Sequence, residues 1–502
     1  MMTDFDITET TVSEIHDAMR AGEVTSRELV DRYRERIEAY DRAGPELNGV
    51  VTLNPDAPDR AAELDETFAE SGPVGPLHGI PVLVKDQAET AGLTTTFGSA
   101  VFEEYVPETD ATVVRKLRDA GAVVLAKTNL CDWAASWFGY SSATGRTKNP
   151  YALARDPGGS SAGTGAGVAA NLGTIGVGED TGGSVRVPAA YCNLFGIRVT
   201  TGLISRTGFA PLVARQDTPG PMARTVADMA RLLDVMVGYD PDDEWTGATA
   251  MATDDDYVDH LDADALDGAR IGVLRAAFGA DDAPAAEVEP VSAVVEEALA
   301  AMADAGATLV DPVSIPDLDE QVDDTSLYVL QAKRDLNDFL AERPGAPADS
   351  VEAIDDAGDP HPCVADLFDA IVDGPADPID DPDYWAAVAA QERLRRHVVR
   401  VHAEHDLDAV AFPDVPVLPP TEEQLRDGTY TTMAFPTNTV VGSQSSCPAV
   451  SLPAGFTDEG IPVGVELLGT PFAEPRLIEL AASYESAADP RRPPATAPPL
   501  DD

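Results

Sequence analysis

A chain of 502 residues with 44% hydrophobic composition can bury a large core and is long enough for one large α/β domain or two to three ordinary ones. Its 88 acidic against 34 basic residues leave a formal charge of −54, spread along the chain instead of gathered in a tail. That balance disfavours direct binding to nucleic acid or an anionic membrane, where phosphates are met by clustered Lys and Arg, and it reads as the hydrated acidic surface of a protein from a salt-loving cell.

The opening stretch MMTDFDITETTVSEIH carries acids where a secretory leader needs basic residues and an apolar run. No run of 18 or more apolar residues follows, so a cytoplasmic protein is expected. Thr25-Ser26-Arg27-Glu28 is a capping-box pattern, and Leu29, Val30, Tyr33, Ile37 and Tyr40 then recur at helical spacing. Gly79 to Val84 is a short apolar run typical of a buried strand, ending abruptly at Lys85-Asp86. Asp110 is expected to cap a helix with Val113, Val114 and Leu117 inward, Gly121 to stop it, and Val123 to Ala126 to form another buried strand. Strand, helix and strand in this order indicate a parallel sheet covered on both faces.

From Asp156 to Ala190, Gly and Ala dominate, which lets backbones approach one another or a ligand closely. The pattern predicts a small-residue helix over 161–171, a strand over 174–178 and an exposed turn over 179–184. The acidic, proline-rich segments within 240–269 and 343–382 read as surface loops. A strand at 270–274, helices at 291–303 and 383–402, strands at 449–454 and 463–468 around a turn at 458–460, and a last helix from Glu474 complete the chain, without internal repeats.

An amide carbonyl resists attack, so an enzyme that cleaves it needs a nucleophile, a base, and donors aimed at the oxyanion that forms. Ser184 follows Asp180-Thr181-Gly182-Gly183, where two glycines permit a tight turn that points successive N–H groups at one place. Ser160 stands at the start of the Gly/Ala helix, with its hydroxyl available to pass a proton. Lys85 ends a buried strand, where apolar surroundings disfavour the ammonium. It is one of five lysines in a chain whose other basic residues are arginines, and an amine can lose a proton that a guanidinium keeps. Keeping a lysine neutral near pH 7 against a free pKa of about 10.4 requires roughly 4 to 5 kcal/mol, which a dry strand end can supply. Ser–Lys pairs are a known variant of nucleophile-and-base logic.

Each residue alone has a plainer reading: Ser184 and its glycines as a structural or phosphate-binding turn, Lys85 as a strand end paired with Asp86, Ser160 as a helix cap. There is no G-x-x-x-x-G-K-[ST] run, and Gly163 to Gly167 misses the dinucleotide spacing. Cys131, Cys192, Cys363 and Cys447 lie apart with no C-x-x-C pair and read as free thiols; Cys131 and Cys192 fit small core residues better than thiol nucleophiles. His397, His402 and His405 lack the spacing of a metal site, so neither metal nor other cofactor is expected.

Taken together, these segments resemble the amidase signature family. The resemblance is carried by GIPVLVKD at 79–86, AKTN at 126–129, DPGGSSAG at 156–163, GEDTGGSVRVPAAYC at 178–192, DTPGPMARTVADM at 217–229, and CPAVSLPAGF with GIPVGVELLG near the C-terminus. It covers most of the chain and is weakest between about 240 and 405. It implies one α/β domain over residues 1–502, a large mixed β-sheet flanked by helices on both faces, with 240–405 as a variable, acidic, loop- and helix-rich region within it. By the same resemblance Lys85 is the base, Ser160 a relay serine with an unusual cis peptide, and Ser184 the residue that forms the acyl-enzyme. The N–H groups of Thr181, Gly182, Gly183 and Ser184 would hold the oxyanion, and Asp180 and Arg186 would support the loop. The implied substrate is a small carboxamide, hydrolysed to a carboxylate and ammonia or an amine by a stand-alone enzyme, with a homodimer left open. The alternative is the glutaminase subunit of a tRNA-dependent amidotransferase, and a third reading is a binding protein that kept the fold. Glu179 in place of a small hydroxyl residue, Ala162 in place of a glycine and FGIRVT at 195–200 depart from the family wording, and none is expected to touch the three side chains.

Overall fold

Among the residues described by the computed structural model, 5–253, 255–280, 283–358 and 360–500, eleven strands form one mixed sheet. In chain order they are β1 (Val50–Leu53), β2 (Pro81–Lys85), β3 (Val123–Thr128), β4 (Ile175–Asp180), β5 (Phe195–Arg198), β6 (Thr218–Ala223), β7 (Arg270–Leu274), β8 (Thr308–Val313), β9 (Ala409–Pro413), β10 (Ala449–Phe456) and β11 (Pro462–Leu468). They lie side by side as β1-β3-β2-β4-β6-β5-β10-β11-β9-β7-β8. The β3-β2-β4 run is parallel, as is β9-β7-β8, and antiparallel pairs join the two. The strand–helix–strand pattern from β2 to β3 is thus observed, but within a mixed sheet, as the resemblance implied.

Local chemistry accounts for many of the boundaries. Thr11 and Thr25 each cap a helix, Val12–Ala21 and Ser26–Arg36, through reciprocal bonds with Glu14 and Glu28. Beyond Arg36 the predicted helix continues as a wider turn, Ile37–Arg42, closed by i→i+5 bonds. β2 and β3 are buried along their whole length, as near-continuous apolar runs should be in strands covered on both faces. The helix that Asp110 is expected to cap begins one residue later, at Thr112 after Ala111; the Asp110 carboxylate instead accepts the Ala91 N–H at 2.8 Å.

One reading from composition fails for an identifiable reason. Segment 343–382, with the composition of surface loops, carries helices Val351–Ala357 and Ala365–Val372. Val351, Ile354, Leu367, Phe368 and Ile371 recur there at helical spacing and pack into a buried cluster with Leu336 and Leu340. β6, with the sequence TPGPMA, does not read as a strand because proline cannot donate to a ladder. It nevertheless lies inside the sheet between β4 and β5, with Pro219 opposite Glu179 and Pro221 opposite Val177. No helix among the described residues is long and apolar enough to cross a membrane.

The Gly/Ala helix, Ala162–Ala169, packs closely against β2 and β4: a Cβ on Gly167 would crowd Leu83 of β2, and one on Gly176 of β4 would overlap Thr164 and Val168. Gly163 donates its N–H to the Asn129 carbonyl at 2.9 Å, and a Cβ there would overlap the Gly49 carbonyl oxygen and the Asn129 nitrogen. Replacing a helical glycine by alanine ordinarily stabilises by about 0.5–1 kcal/mol. Here Gly163→Ala is expected to destabilise by about 1–3 kcal/mol through overpacking, read as a lower urea midpoint. An unchanged or raised midpoint would contradict this packing.

Candidate active site

Because β2 and β4 are parallel neighbours, with Val84 opposite Val177, Lys85 and the pair Glu179-Asp180 emerge together at the carboxyl ends of their strands. In open α/β sheets that edge is where ligands bind. Ser160 arrives there from the segment just before the Gly/Ala helix, through a cis peptide between Gly159 and Ser160. The Lys85 Nζ donates to Ser160 Oγ at 2.8 Å, with both residues wholly buried. Ser160 does not cap the helix: Ser161 holds the cap position, and the Ser161 hydroxyl bonds the backbone of Glu179. The Ser161 N–H donates to the Ser184 carbonyl at 3.2 Å, tying the two serine-bearing segments together.

The turn at 179–184 is buried, against the sequence reading of an exposed turn: Ser184 is 4% exposed and Glu179, Asp180 and Thr181 less. Distant segments roof it. A Cβ on Gly182 would overlap Tyr328 Oη and the Trp137 ring, and one on Gly183 would overlap the Thr439 hydroxyl. Gly183 also has φ 151°, which side-chain-bearing residues rarely adopt. Trp137 and Tyr328 meet edge to face, 6.2 Å between centroids, and Trp137 Nε1 donates to the Thr432 carbonyl at 3.1 Å. No backbone acceptor among the described residues engages the N–H groups of Gly182, Gly183 and Ser184.

A buried charge network fixes the base of the turn. The Asp180 carboxylate accepts from Arg186 Nη2 at 3.0 Å, from Arg198 Nη1 at 3.0 Å and from the Val185 N–H at 3.1 Å. Arg186 reaches on to Glu466 at 2.7 Å. Burial works against the charge on Asp180, but the two guanidiniums overcome it and hold its carboxyl down at about 2. Asp180 and Arg186, the residues expected to support the loop, are bonded to each other at its base. Thr181 donates from its hydroxyl to Asp217 at 2.6 Å, and Gln216 Nε2 donates to the Thr181 carbonyl at 3.1 Å.

Lys85 does not pair with Asp86, whose carboxylate meets Lys127 Nζ at 2.9 Å. Its ionic neighbour is Glu179, whose carbonyl accepts from Nζ at 3.2 Å and whose Oε2 lies 3.5 Å from it. The expectation that Glu179 leaves the three side chains untouched is therefore corrected: on the parallel neighbour of β2, its side chain turns toward the amine. Burial pushes the Lys85 amine below the ordinary lysine range, against the pull of the Glu179 carboxylate. Burial likewise raises Glu179 to about 7, against the attraction of Lys85. Cys131 and Cys192 are wholly buried and burial pushes both thiols up, as suits core residues. His402 is held by the Val398 and Leu468 carbonyls, and His397 by Gln321. The motif DTPG at 217–220 carried a hint of Asp217. Trp137, Tyr328 and Thr439 carried none, because their place over the turn depends on segments far apart in the chain.

Residues 28–478 match the protein family described as Amidase. The chain is 33% identical over 491 residues to a glutamyl-tRNA(Gln) amidotransferase subunit from Synechococcus sp. (strain CC9605), covering 95% of this chain and 96% of that protein. It is similar to the crystal structure of native peptide amidase from Stenotrophomonas maltophilia, with TM-score 0.85, 35% identity, and coverage of 97% of this chain and 99% of that one. Its likeness to the structure of the corresponding glutamyl-tRNA(Gln) amidotransferase subunit from Thermotoga maritima is lower, with TM-score 0.75, 27% identity, and coverage of 97% and 96%.

Removing one partner from a buried ion network strands the others without water. Arg186→Met leaves Asp180 and Glu466 facing each other, and is expected to destabilise the fold by about 3–5 kcal/mol in chemical denaturation. A loss within about 1 kcal/mol, the range of exposed pairs, would contradict the role given to this network.

Proposed function

The chain belongs to the amidase family and is a carbon–nitrogen hydrolase, and from that premise we propose that it cleaves a carboxamide through an acyl-enzyme on Ser184, with Ser160 and Lys85 as proton relay and base. The observation that carries this reading is the 2.8 Å hydrogen bond between Lys85 Nζ and Ser160 Oγ, buried beside the glycine turn that bears Ser184. Ser184 Oγ attacks the carbonyl carbon as its proton passes to Ser160 Oγ and the Ser160 proton passes to the Lys85 lone pair. The carbonyl becomes an oxyanion held by the N–H groups of the 181–184 turn. The tetrahedral adduct then collapses and the carbon–nitrogen bond breaks, the leaving nitrogen taking its proton back along the relay. Water, deprotonated by the same route, attacks the ester and releases the carboxylate and Ser184. Trp137 and Tyr328, closed over Gly182, give the acyl group an aromatic wall.

The likeness to peptide amidase, higher in TM-score and identity than that to the Thermotoga protein, favours a stand-alone enzyme on a small amide over a glutaminase subunit. The purified chain in concentrated salt is expected to hydrolyse simple amides unaided, and activity that required charged tRNA and a partner protein would favour the glutaminase reading instead. Ser184→Ala is expected to lower kcat at least about 1,000-fold. Lys85→Ala is expected to flatten the remaining rate across pH, since the titrating base is gone. Substantial turnover by Ser184→Ala, or a wild-type pH profile in Lys85→Ala, would overturn the assignment.

A further inference from the structure

The immediate surroundings of Lys85 Nζ suit the neutral amine and also place an anion where the ammonium will form. An ammonium has three N–H donors, whereas a neutral amine has two and a lone pair. Three oxygens surround the nitrogen: Ser160 Oγ at 2.8 Å, the Glu179 carbonyl at 3.2 Å and Glu179 Oε2 at 3.5 Å. The neutral amine that starts the reaction turns its lone pair to the Ser160 hydroxyl and its two N–H groups to the Glu179 carbonyl and carboxylate. The ammonium formed when Ser184 acylates satisfies all three.

Lys85 is the cation paired with the Glu179 carboxylate, and the other charges nearby are held by partners of their own. Asp180, on the same strand, is held ionised by Arg186 and Arg198. Asp217, from the segment leading into β6, faces Glu179 as a second acid and is held by the Thr181 hydroxyl and the Leu212 and Val213 N–H groups. Cys131, after β3, faces Lys85 with a thiol that burial keeps protonated. Gln87 approaches Glu179 as an uncharged amide, and Arg198, on β5, feels Glu179 but is bonded to Asp180.

We propose that Glu179 is a positioning residue for proton transfer, its carboxylate facing Lys85 so that the amine, neutral before attack, becomes an ion-paired ammonium as the acyl-enzyme forms. No additional reactant is needed: the proton leaving Ser184 is the one that Lys85 gains, and the leaving nitrogen takes it away. The proposal rests on the Ser184–Ser160–Lys85 reading. Lys85 and Glu179 then titrate as a pair, and the acid limb of kcat/KM reports the first proton the pair takes up. Removing the anion weakens the hold on an ammonium, so the limb moves to lower pH, and the same loss makes the base less able to draw a proton in the transition state.

The test compares kcat/KM from about pH 5 to about pH 10 for wild type, Glu179→Gln and Glu179→Asp, on whichever simple amide the wild type hydrolyses fastest. Glu179→Gln is expected to shift the acid limb down by about one pH unit or more and lower the plateau about 10- to 100-fold, with Glu179→Asp between it and wild type. A Glu179→Gln limb at the wild-type pH overturns the proposal. If Glu179→Gln does not fold, Glu179→Asp decides, since a limb identical to wild type overturns the proposal equally. The pH dependence of fluorophosphonate labelling at Ser184 gives the same readout without turnover. Failure here with an inactive Ser184→Ala variant sinks only the role of Glu179, whereas an active Ser184→Ala variant sinks the reading beneath it.

Discussion

The site depends on one hydrogen bond, between an amine that burial has stripped of water and a serine hydroxyl that burial has also dried. Lys85 can act as a base only while it is uncharged, and its burial at the end of β2 pushes the amine toward that form. Two consequences follow from the same burial. Ser160 has to be brought to the amine, which the close approach of the Gly/Ala helix to β2 accomplishes. The glycine turn has to be closed off from water, which the roof of Trp137, Tyr328 and Thr439 accomplishes.

Charges buried at such a site add little net stability, since desolvation takes back most of what Coulomb attraction gives. Their value here is positional. Asp180 gathers Arg186, Arg198 and the Val185 N–H around one carboxylate, and those bonds hold both ends of the turn that presents Ser184. The result is an acid kept fully ionised beside Glu179, an acid pushed up to about 7. Two neighbouring carboxylates on one strand are driven apart by their partners, which is how a single fold keeps a structural charge separate from a group that can exchange protons.

What could be read from the chain and what could not divide along physical lines. The runs at Pro81–Val84 and Val123–Ala126, the capping box at Thr25 and the last helix from Glu474 were legible because each is decided by neighbours in sequence. Lys85, Ser160 and Ser184 were legible as candidates because their motifs are local, and the structure joins Lys85 to Ser160 directly. β6 was hidden by its two prolines, whose tolerance inside the sheet depends on the pairing with β4. The helices at 351–357 and 365–372 were hidden because acidic, proline-rich composition masks the spacing of Val351, Ile354, Leu367 and Ile371. The burial of the 179–184 turn and the approach of Glu179 to Lys85 were beyond reach for a stricter reason: each is set by register between strands or by segments more than a hundred residues away.

The protonation state of residue 85 can be observed without reference to turnover. With only five lysines in the chain, selective ¹⁵N-lysine labelling yields few side-chain signals, and the one missing from a Lys85→Met variant identifies the site nitrogen. Followed through a pH titration in concentrated salt, that nitrogen is expected to pass to the neutral amine below the ordinary lysine range of about 10.4. A signal that stays ammonium until that range is reached would contradict the account at its centre.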